Sequence, residues 1–440
     1  MTGITYAFKL SRAYIKRFRG LLILGVTVGI AAFFLVKYLF PYLTKEENLR
    51  IGIAGRYHTD TLPFFILSEL SEGLTAINDD KTVSPSLATS WESPDKGVTW
   101  IFHLSEGNIW HDGEEVKSED INYEFSDVQV EKPDSKTIIF KLQDIFSPFP
   151  SVLSKPTFKK GLLGTGDWKV HKLTLSGGFV EELQIINQKK EKKIYKFYPT
   201  LERTKLAYKL GQIDVIQETL DATPFNSWRN SELIENVDLN QVVTLFFNTQ
   251  TPQLGEKNLR QALAYAIDKE ILGTRAYSPI SPNSWAYNPQ VKKYPHDIER
   301  SKELIKELPK EIGESLDLKL VSTPALLEVA DKIAKEWESV GVKTTVLVSS
   351  IIPTEFDAYL TIYDIPQDPD QYSIWHSTQI TSTNISKYSS PRIDKLLEEG
   401  RTLLNTDERK NNYLDFQRFL LEDLPAVFLY HPTYYTIVRR

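Results

Sequence analysis

Residues able to do acid–base, nucleophilic or metal chemistry are plentiful in this chain, but their spacing does not assemble a catalytic site. Asp368 and Asp370 are paired acids of the kind a glycosidase uses, yet 58 Asp and Glu make chance pairs inevitable. None of the seven histidines begins a His-Glu-x-x-His motif, and there is no cysteine to act as nucleophile, metal ligand or disulfide partner. No Gly-x-Ser-x-Gly elbow or Walker A loop occurs. Gly161-x-x-Gly164-x-Gly166 is followed by Asp167, where a phosphate loop would place lysine. His111-Asp112-Gly113 fits a hairpin turn with Gly at positive φ better than a catalytic or metal pair. The residue types therefore predict no enzyme, no cofactor and no metal site. A surface hydrolase working through Asp368 or Asp370 is the weakest reading.

The elements that position any binding residues begin with an uneven charge distribution. The 440 residues carry a net charge of −6 and are 12% aromatic, which suits roughly two to four ordered domains and aromatic-lined surfaces. Residues 1–20 hold Lys9, Arg12, Lys16, Arg17 and Arg19 with no acid, and residues 21–36 carry no charge. Continued past Lys37, whose stem can snorkel, to Phe40, this stretch would rise about 30 Å as a helix and cross a bilayer. Tyr38 and Tyr42 fall where interfacial aromatics sit, and the basic flank set against Lys45-Glu46-Glu47 puts the N-terminus in the cytoplasm.

The pattern predicts a cytoplasmic basic tail at 1–20, a transmembrane signal anchor at 21–43 and an exported remainder. A cleavable signal peptide begins in the same way. The length of the run and its Phe-Leu-Val-Lys-Tyr-Leu-Phe end, with no Ala-x-Ala site, favour an uncleaved anchor. Without residues 1–40 the chain keeps 46 basic against 58 acidic residues, and this balance of −12 disfavours duplex nucleic acid as a partner.

Beyond the anchor the hydrophobic period changes once. Val98, Trp100, Phe102 and Leu104 alternate with polar or outward positions, as do Ile138, Phe140 and Leu142, so the first half reads as sheet. In the second half Leu259, Ala262, Leu263, Ala266, Ile267 and Ile271 share a helical face. Leu326, Ala330, Ile333, Trp337 and Val340 share another, capped by Gly341. Strand patterns at 316–320 and 342–348 flank the second helix, which is the grammar of an open α/β sheet. Helical patterns return at 393–404 and 413–421, before a terminal strand-like run at 426–438.

One segment is more specific: Leu87-Ala-Thr-Ser-Trp-Glu-Ser-Pro-Asp-Lys-Gly-Val-Thr-Trp-Ile-Phe-His-Leu-Ser-Glu-Gly-Asn-Ile-Trp-His-Asp-Gly113, continued by Glu119-Asp-Ile-Asn-Tyr-Glu-Phe125. It resembles the signature of the family 5 extracellular solute-binding proteins, the oligopeptide- and dipeptide-binding proteins of ABC importers. Further pieces follow in the family's order: Leu210-Gly-Gln-Ile-Asp-Val215, Phe247-Asn248, Leu259-Arg-Gln-Ala-Leu-Ala-Tyr-Ala-Ile-Asp268, Asp368-Pro-Asp370, Tyr388-Ser-Ser-Pro-Arg-Ile-Asp394 and Leu424-Pro-Ala-Val-Phe-Leu-Tyr430.

The resemblance covers about residues 48–437 and implies a two-lobed, mixed α/β periplasmic-binding-protein-like fold (type II, peptide-binding cluster). Lobe I is expected at 48–247 plus 424–440 and lobe II at 248–423. Only about 40 residues separate Phe125 from Gly164, so the accessory subdomain is expected to be shortened. The implied function is that of a monomeric, membrane-anchored receptor. It would capture oligopeptides or a related small solute by hinge closure outside the cell membrane and pass them to an ABC permease. A ligand-sensing module of the same fold is the alternative.

Peptide binders of this group commonly place an Asp three residues before the first Asp of Asp-Pro-Asp to hold the ligand's amine; here that position is Ile365. The candidate ligand residues are Asp364, Asp368 and Asp370 for a cation, Tyr372, Trp375 and His376 for stacking or hydrogen bonding, and Trp285, Tyr287 and Asn288 from a Pro/Ser/Asn loop.

Overall fold

The computed structural model describes residues 12, 16–21, 23–35, 48–313 and 316–440. Lys9, Tyr38, Tyr42 and Lys45-Glu46-Glu47, used above to place the anchor, lie outside those residues. Lys16–Leu35 forms a 20-residue helix of mean hydropathy 2.1 whose apolar window is unburied, long and apolar enough to cross a membrane.

Two large mixed sheets, a four-stranded antiparallel sheet and a two-stranded antiparallel hairpin organise the rest of the described residues. The seven-stranded sheet centres on Asn48–Ala54, which runs parallel to Lys192–Tyr198 and Val215–Thr219. Phe179–Asn187 and Trp168–Ser176 extend one side, while Thr433–Arg439 and Ser231–Val237 complete the other. The six-stranded sheet centres on Gln241–Phe247, flanked on one side by Ala426–His431 and the short edge strand Thr274–Arg275, and on the other by Ala358–Asp364, Asp317–Ser322 and Lys343–Val348. Alternate residues of the central strand serve both faces. Val243, Leu245 and Phe247 pack with the helices Lys257–Ala266 and Leu327–Glu338, and Val242 and Phe246 pack with Trp375, Tyr413 and Phe416.

The four-stranded sheet, Ala88–Glu92, Thr99–Leu104, Thr137–Lys141 and Gln129–Asp134, together with the hairpin Thr75–Ile77 and Val83–Pro85 that leads into it, is the accessory unit. Trp100, Phe102, Leu104, Ile138 and Phe140 are buried, as their alternation predicts. The His-Asp-Gly turn has a structural task here. The His111 backbone N–H donates to Gly164 O at 2.9 Å, and the ring sits 2.8 Å from Gly166 O and 3.3 Å from Gly164 N. The ring thus clamps the glycine loop. That loop packs against the helix Phe64–Leu70, so a Cβ on Gly164 would collide with the Leu70 carbonyl oxygen and the Ser71 side chain.

Three sequence expectations change in the structure. The 259–271 helix stops at Ala266, because buried Lys269 donates its ammonium to Ala264 O (2.5 Å) and Ile267 O (2.8 Å) and so caps the open carbonyls. The terminal run is two strands, not one: Pro432, lacking an N–H, divides Ala426–His431 from Thr433–Arg439, and each belongs to a different large sheet. The helix read from 413–421 starts earlier, at Thr406, because the Asn405 side chain accepts from the Asp407 and Glu408 N–H groups.

Gly164→Ala is expected to destabilise the protein by about 1–3 kcal/mol through overpacking against fixed backbone, whereas Gly255→Ala, where a Cβ would meet only Thr249 O at an ordinary 3.5 Å and the backbone is not left-handed, loses less. Urea denaturation of both variants checks the contrast.

Candidate functional site

The chain passes between the two large sheets at residues 238–240 and again at Pro432. The two passages are bonded together: Asp238 N–H donates to Pro432 O at 3.0 Å, and the His431 Nδ1 lies 2.7 Å from Gln241 O. The Gln241 side chain spans the junction, donating to Asp364 Oδ1 (2.7 Å) and accepting from the Tyr434 hydroxyl (2.6 Å). Burial, with Asp238 and Asp364 nearby, pushes the Tyr434 phenol up to about 12. Burial also lowers the His431 pKa, so its ring stays neutral on the hinge. The parallel strands of each large sheet end on this side, which makes it the expected mouth of an open α/β site.

The expected ligand residues divide sharply by what they touch. Asp364 is exposed at the end of its strand and has no cationic partner among the described residues. Asp368 accepts two bonds from Arg409, at 2.7 and 3.1 Å, with both side chains largely buried. Burial alone would pull the Arg409 guanidinium down, but Asp368 and Tyr413 more than reverse it and hold the pKa above its ordinary value. Asp370 accepts from Arg401 Nε at 2.9 Å. The Arg401 guanidinium lies 3.9 Å from the Tyr372 ring centroid and 5.3 Å from that of Phe146 in the accessory unit. On its other face Tyr372 stacks on His376 at 4.0 Å.

Trp375 is fully buried against Phe246 and Phe428, with its indole N–H 3.2 Å from Gln371 Oε1. His376 is buried too, held between Thr378 and Glu398. Asn288 bonds Leu414 O and Gln417 and so fastens its loop to the helix Thr406–Asp423. Tyr287 is half-buried, and its phenol is pushed up by burial. Half-buried Trp285 is the aromatic that meets the other side of the cleft: its backbone N–H donates to Asp80 O at 2.9 Å.

That contact reveals residues the sequence reading passed over. Asp80 and Lys81 lie in the turn joining Thr75–Ile77 to Val83–Pro85. Lys81 Nζ reaches across to Gln367 Oε1 at 2.9 Å. A second bridge joins the Ser147 N–H to Arg401 O at 2.8 Å. No motif marks these residues; a turn lysine among 52 basic residues carries no sequence signal of its own. Other concavities lie away from the crossings. A cavity of about 1150 Å³ is lined by Arg56, Phe179, Lys196 and Arg203, and one of about 410 Å³ by Gln250, Phe356 and Asn384. Each is walled by strands and loops of one large sheet only, and a ligand that touches one lobe cannot favour closure of two. The cleft at the crossings is therefore the candidate site. Among the described residues no cluster of three or more His, Asp or Glu is placed to hold a metal ion.

The family model of the bacterial extracellular solute-binding proteins, family 5 Middle, matches residues 82–182 and 187–382. The chain belongs to this family. Family membership accounts for the two sheets and the accessory unit as one inherited architecture. The dipeptide-binding protein of Escherichia coli K12 is 24% identical, with 81% of this chain and 82% of that one covered. Among solved structures, NikZ from Campylobacter jejuni in complex with Ni(L-His) superposes with a TM-score of 0.72 at 21% identity, covering 90% and 94% of the two chains. AppA from Bacillus subtilis in complex with a nonapeptide gives 0.67 at 20% identity, covering 89% and 94%. At these identities the structures establish a shared two-lobed fold.

Two outcomes follow from the site's electrostatics. Asp368→Asn strands the buried Arg409 charge and is expected to cost about 3–5 kcal/mol in denaturant unfolding, whereas Asp364→Asn at its exposed site leaves stability nearly unchanged. His431 gives a pH dependence. Unfolded, its imidazole protonates around 6.5; folded, burial keeps it neutral to lower pH. The unfolded chain then binds more protons below that pH, so this residue's contribution is complete above about 6.5 and is lost as pH falls toward the folded value. His431→Gln should flatten that part of the stability–pH curve, measured by urea midpoints between pH 7.5 and 5.

Proposed function

We propose that this protein is a membrane-anchored receptor of an ABC importer, one that takes a short peptide or related small solute between its lobes and delivers it to a permease. The observation that carries the reading is the double crossing at 238–240 and Pro432. Two bodies joined by two short passages can rotate about them, and a ligand touching both biases the closed state. The division that fits these crossings is a first lobe of 48–237 plus 433–440 and a second of 241–431. Extended ligand backbone can pair with strand ends and cleft loops, which gives affinity with little sequence reading.

The Lys16–Leu35 helix is the proposed tether, with the C-terminal lobes outside the cell membrane; it would keep the receptor at high effective concentration beside its permease. Relatives described as binding dipeptides and a structure holding a nonapeptide support a peptide, while the Ni(L-His) complex keeps chelates among the solutes to be tried. Of the three acids in the Asp364 loop, Asp364 is the proposed amine contact, because Asp368 and Asp370 are already neutralised by arginine. The reading is of a binding protein, not an enzyme, acting as a monomer.

The test is thermal unfolding of the full chain in detergent micelles with a panel of di- to pentapeptides, sugars and metal–histidine chelates. A true ligand at 100 times its Kd is expected to stabilise by about 2.7 kcal/mol. A panel with no shift in any class would overturn the receptor reading.

A further inference from the structure

The turn at 78–82 is built to hold one side chain in the cleft. Asn78 N–H donates to Thr82 O and Lys81 N–H to Asn78 O, both at 2.9 Å. The Asp80 carboxylate accepts from the Thr82 N–H (3.0 Å) and hydroxyl (2.6 Å). Asp80 O is in turn pinned by Trp285 of the second lobe. Lys81 then stands at φ +67°, a left-handed conformation that costs a residue with a Cβ and that Gly or Asn would adopt more easily. The structure holds lysine there nonetheless, with its ammonium carried across to the second lobe.

That ammonium is under-used. Its one hydrogen bond is to the neutral Gln367 amide oxygen, and no carboxylate lies within ion-pair distance of it among the described residues. It has three protons to donate. Partial burial lowers its pKa, and Asp238 and Asp79 act on it through space without reversing that. The cations of the facing loop differ: Arg401 and Arg409 are each matched to an aspartate. Asp364 is the reverse case, an exposed carboxylate with no cation. Two residues lie between it and Gln367, which puts their Cα atoms at most about 11 Å apart along extended backbone. The cleft thus carries one ammonium without a carboxylate, bonded at Gln367, and one carboxylate without a cation a short way along the same segment.

We propose that Lys81 binds the acidic end of the cleft ligand, giving up Gln367 for the ligand's carboxylate, and that with Asp364 it selects short zwitterionic solutes, such as di- and tripeptides with a free C-terminus. This rests on the receptor reading above and adds to it a residue, a charge requirement and a length. Because the turn belongs to the accessory unit and Gln367 to the second lobe, a carboxylate held there touches both sides and favours closure.

The test compares dipeptides, Ala-Phe and Lys-Ala, with their C-terminal amides by calorimetric titration of the full chain in detergent micelles. Wild type is expected to prefer the free acids by tenfold or more. Lys81→Gln should lose that preference by weakening acid binding alone, and Lys81→Arg should keep most of it. Unliganded Lys81→Gln should melt with the wild type, since the side chain makes a single hydrogen bond. Equal weakening of acids and amides would reduce Lys81 to a latch between lobes and overturn the proposal, as would unchanged acid binding. Wild type that binds these peptides while Lys81→Gln keeps its preference sinks this inference alone; wild type that binds neither form sinks the peptide reading with it.

Discussion

The two crossings between the large sheets, at 238–240 and Pro432, are the constraint on which the rest depends. Pro432 can neither donate to a ladder nor continue His431 into the same sheet, so the chain must change sheets there. Asp238 bonds the proline's carbonyl, and Gln241 ties the start of its own strand to Asp364 and Tyr434. The Asp238–Pro432 bond joins the two passages and the Tyr434–Gln241 bond joins the two sheets, while Gln241 and Asp364 are register partners within one of them. The half-buried Gln241 and Tyr434 make the junction specific, because another register would leave the Gln241 amide and the Tyr434 hydroxyl unpaired.

Charge is used differently on the two sides of that junction. In the second lobe the aspartates of the 368–370 loop are bound to Arg409 and Arg401, and Arg260 donates to the carbonyls of Leu254, Gly255, Asp423 and Leu424. These bonds hold loops to helices, and a ligand could not recruit them without breaking the lobe. Arg401 also reaches outward, sandwiched between Tyr372 and Phe146, so the Asp370 pair positions an interlobe contact while remaining structural itself. The first side brings its charge on a hairpin turn.

The fold was legible wherever a single period decides burial. Trp100, Phe102 and Leu104 alternate and are buried, and the Ala330, Ile333 and Trp337 face is the buried face of its helix. Elements set by one polar side chain were not. Lys269 ends a helix whose apolar pattern runs on to Ile271, and Asn405 begins another before its apolar pattern starts. At the site, residue type alone pointed to the loop after Asp364 but could not say which of its acids are paired. Asp364 and Asp368 look alike in sequence, and the difference is Arg409, 41 residues away from Asp368. Trp375 illustrates the same ambiguity: an aromatic that suits a ligand suits the core equally well, and Gln371 supplies the buried acceptor its indole needs.

This arrangement assigns different work to the parts of the molecule. A loop whose aspartates are internally matched, as Asp368 and Asp370 are, offers shape, backbone and aromatic surface to a ligand, but little net electrostatic preference. Preference must then arise where unmatched groups meet on closure, and the accessory unit's turn at 78–82 supplies one of them. Few fold-determining contacts constrain a turn held by its own local bonds, so ligand choice can change there without disturbing either core. Relatives that share the fold at low identity while holding a nonapeptide or Ni(L-His) fit such a division of labour: on the reading proposed above, the crossings and paired loops would preserve the closing motion, and the turn and the strand-end acid would decide what it closes on.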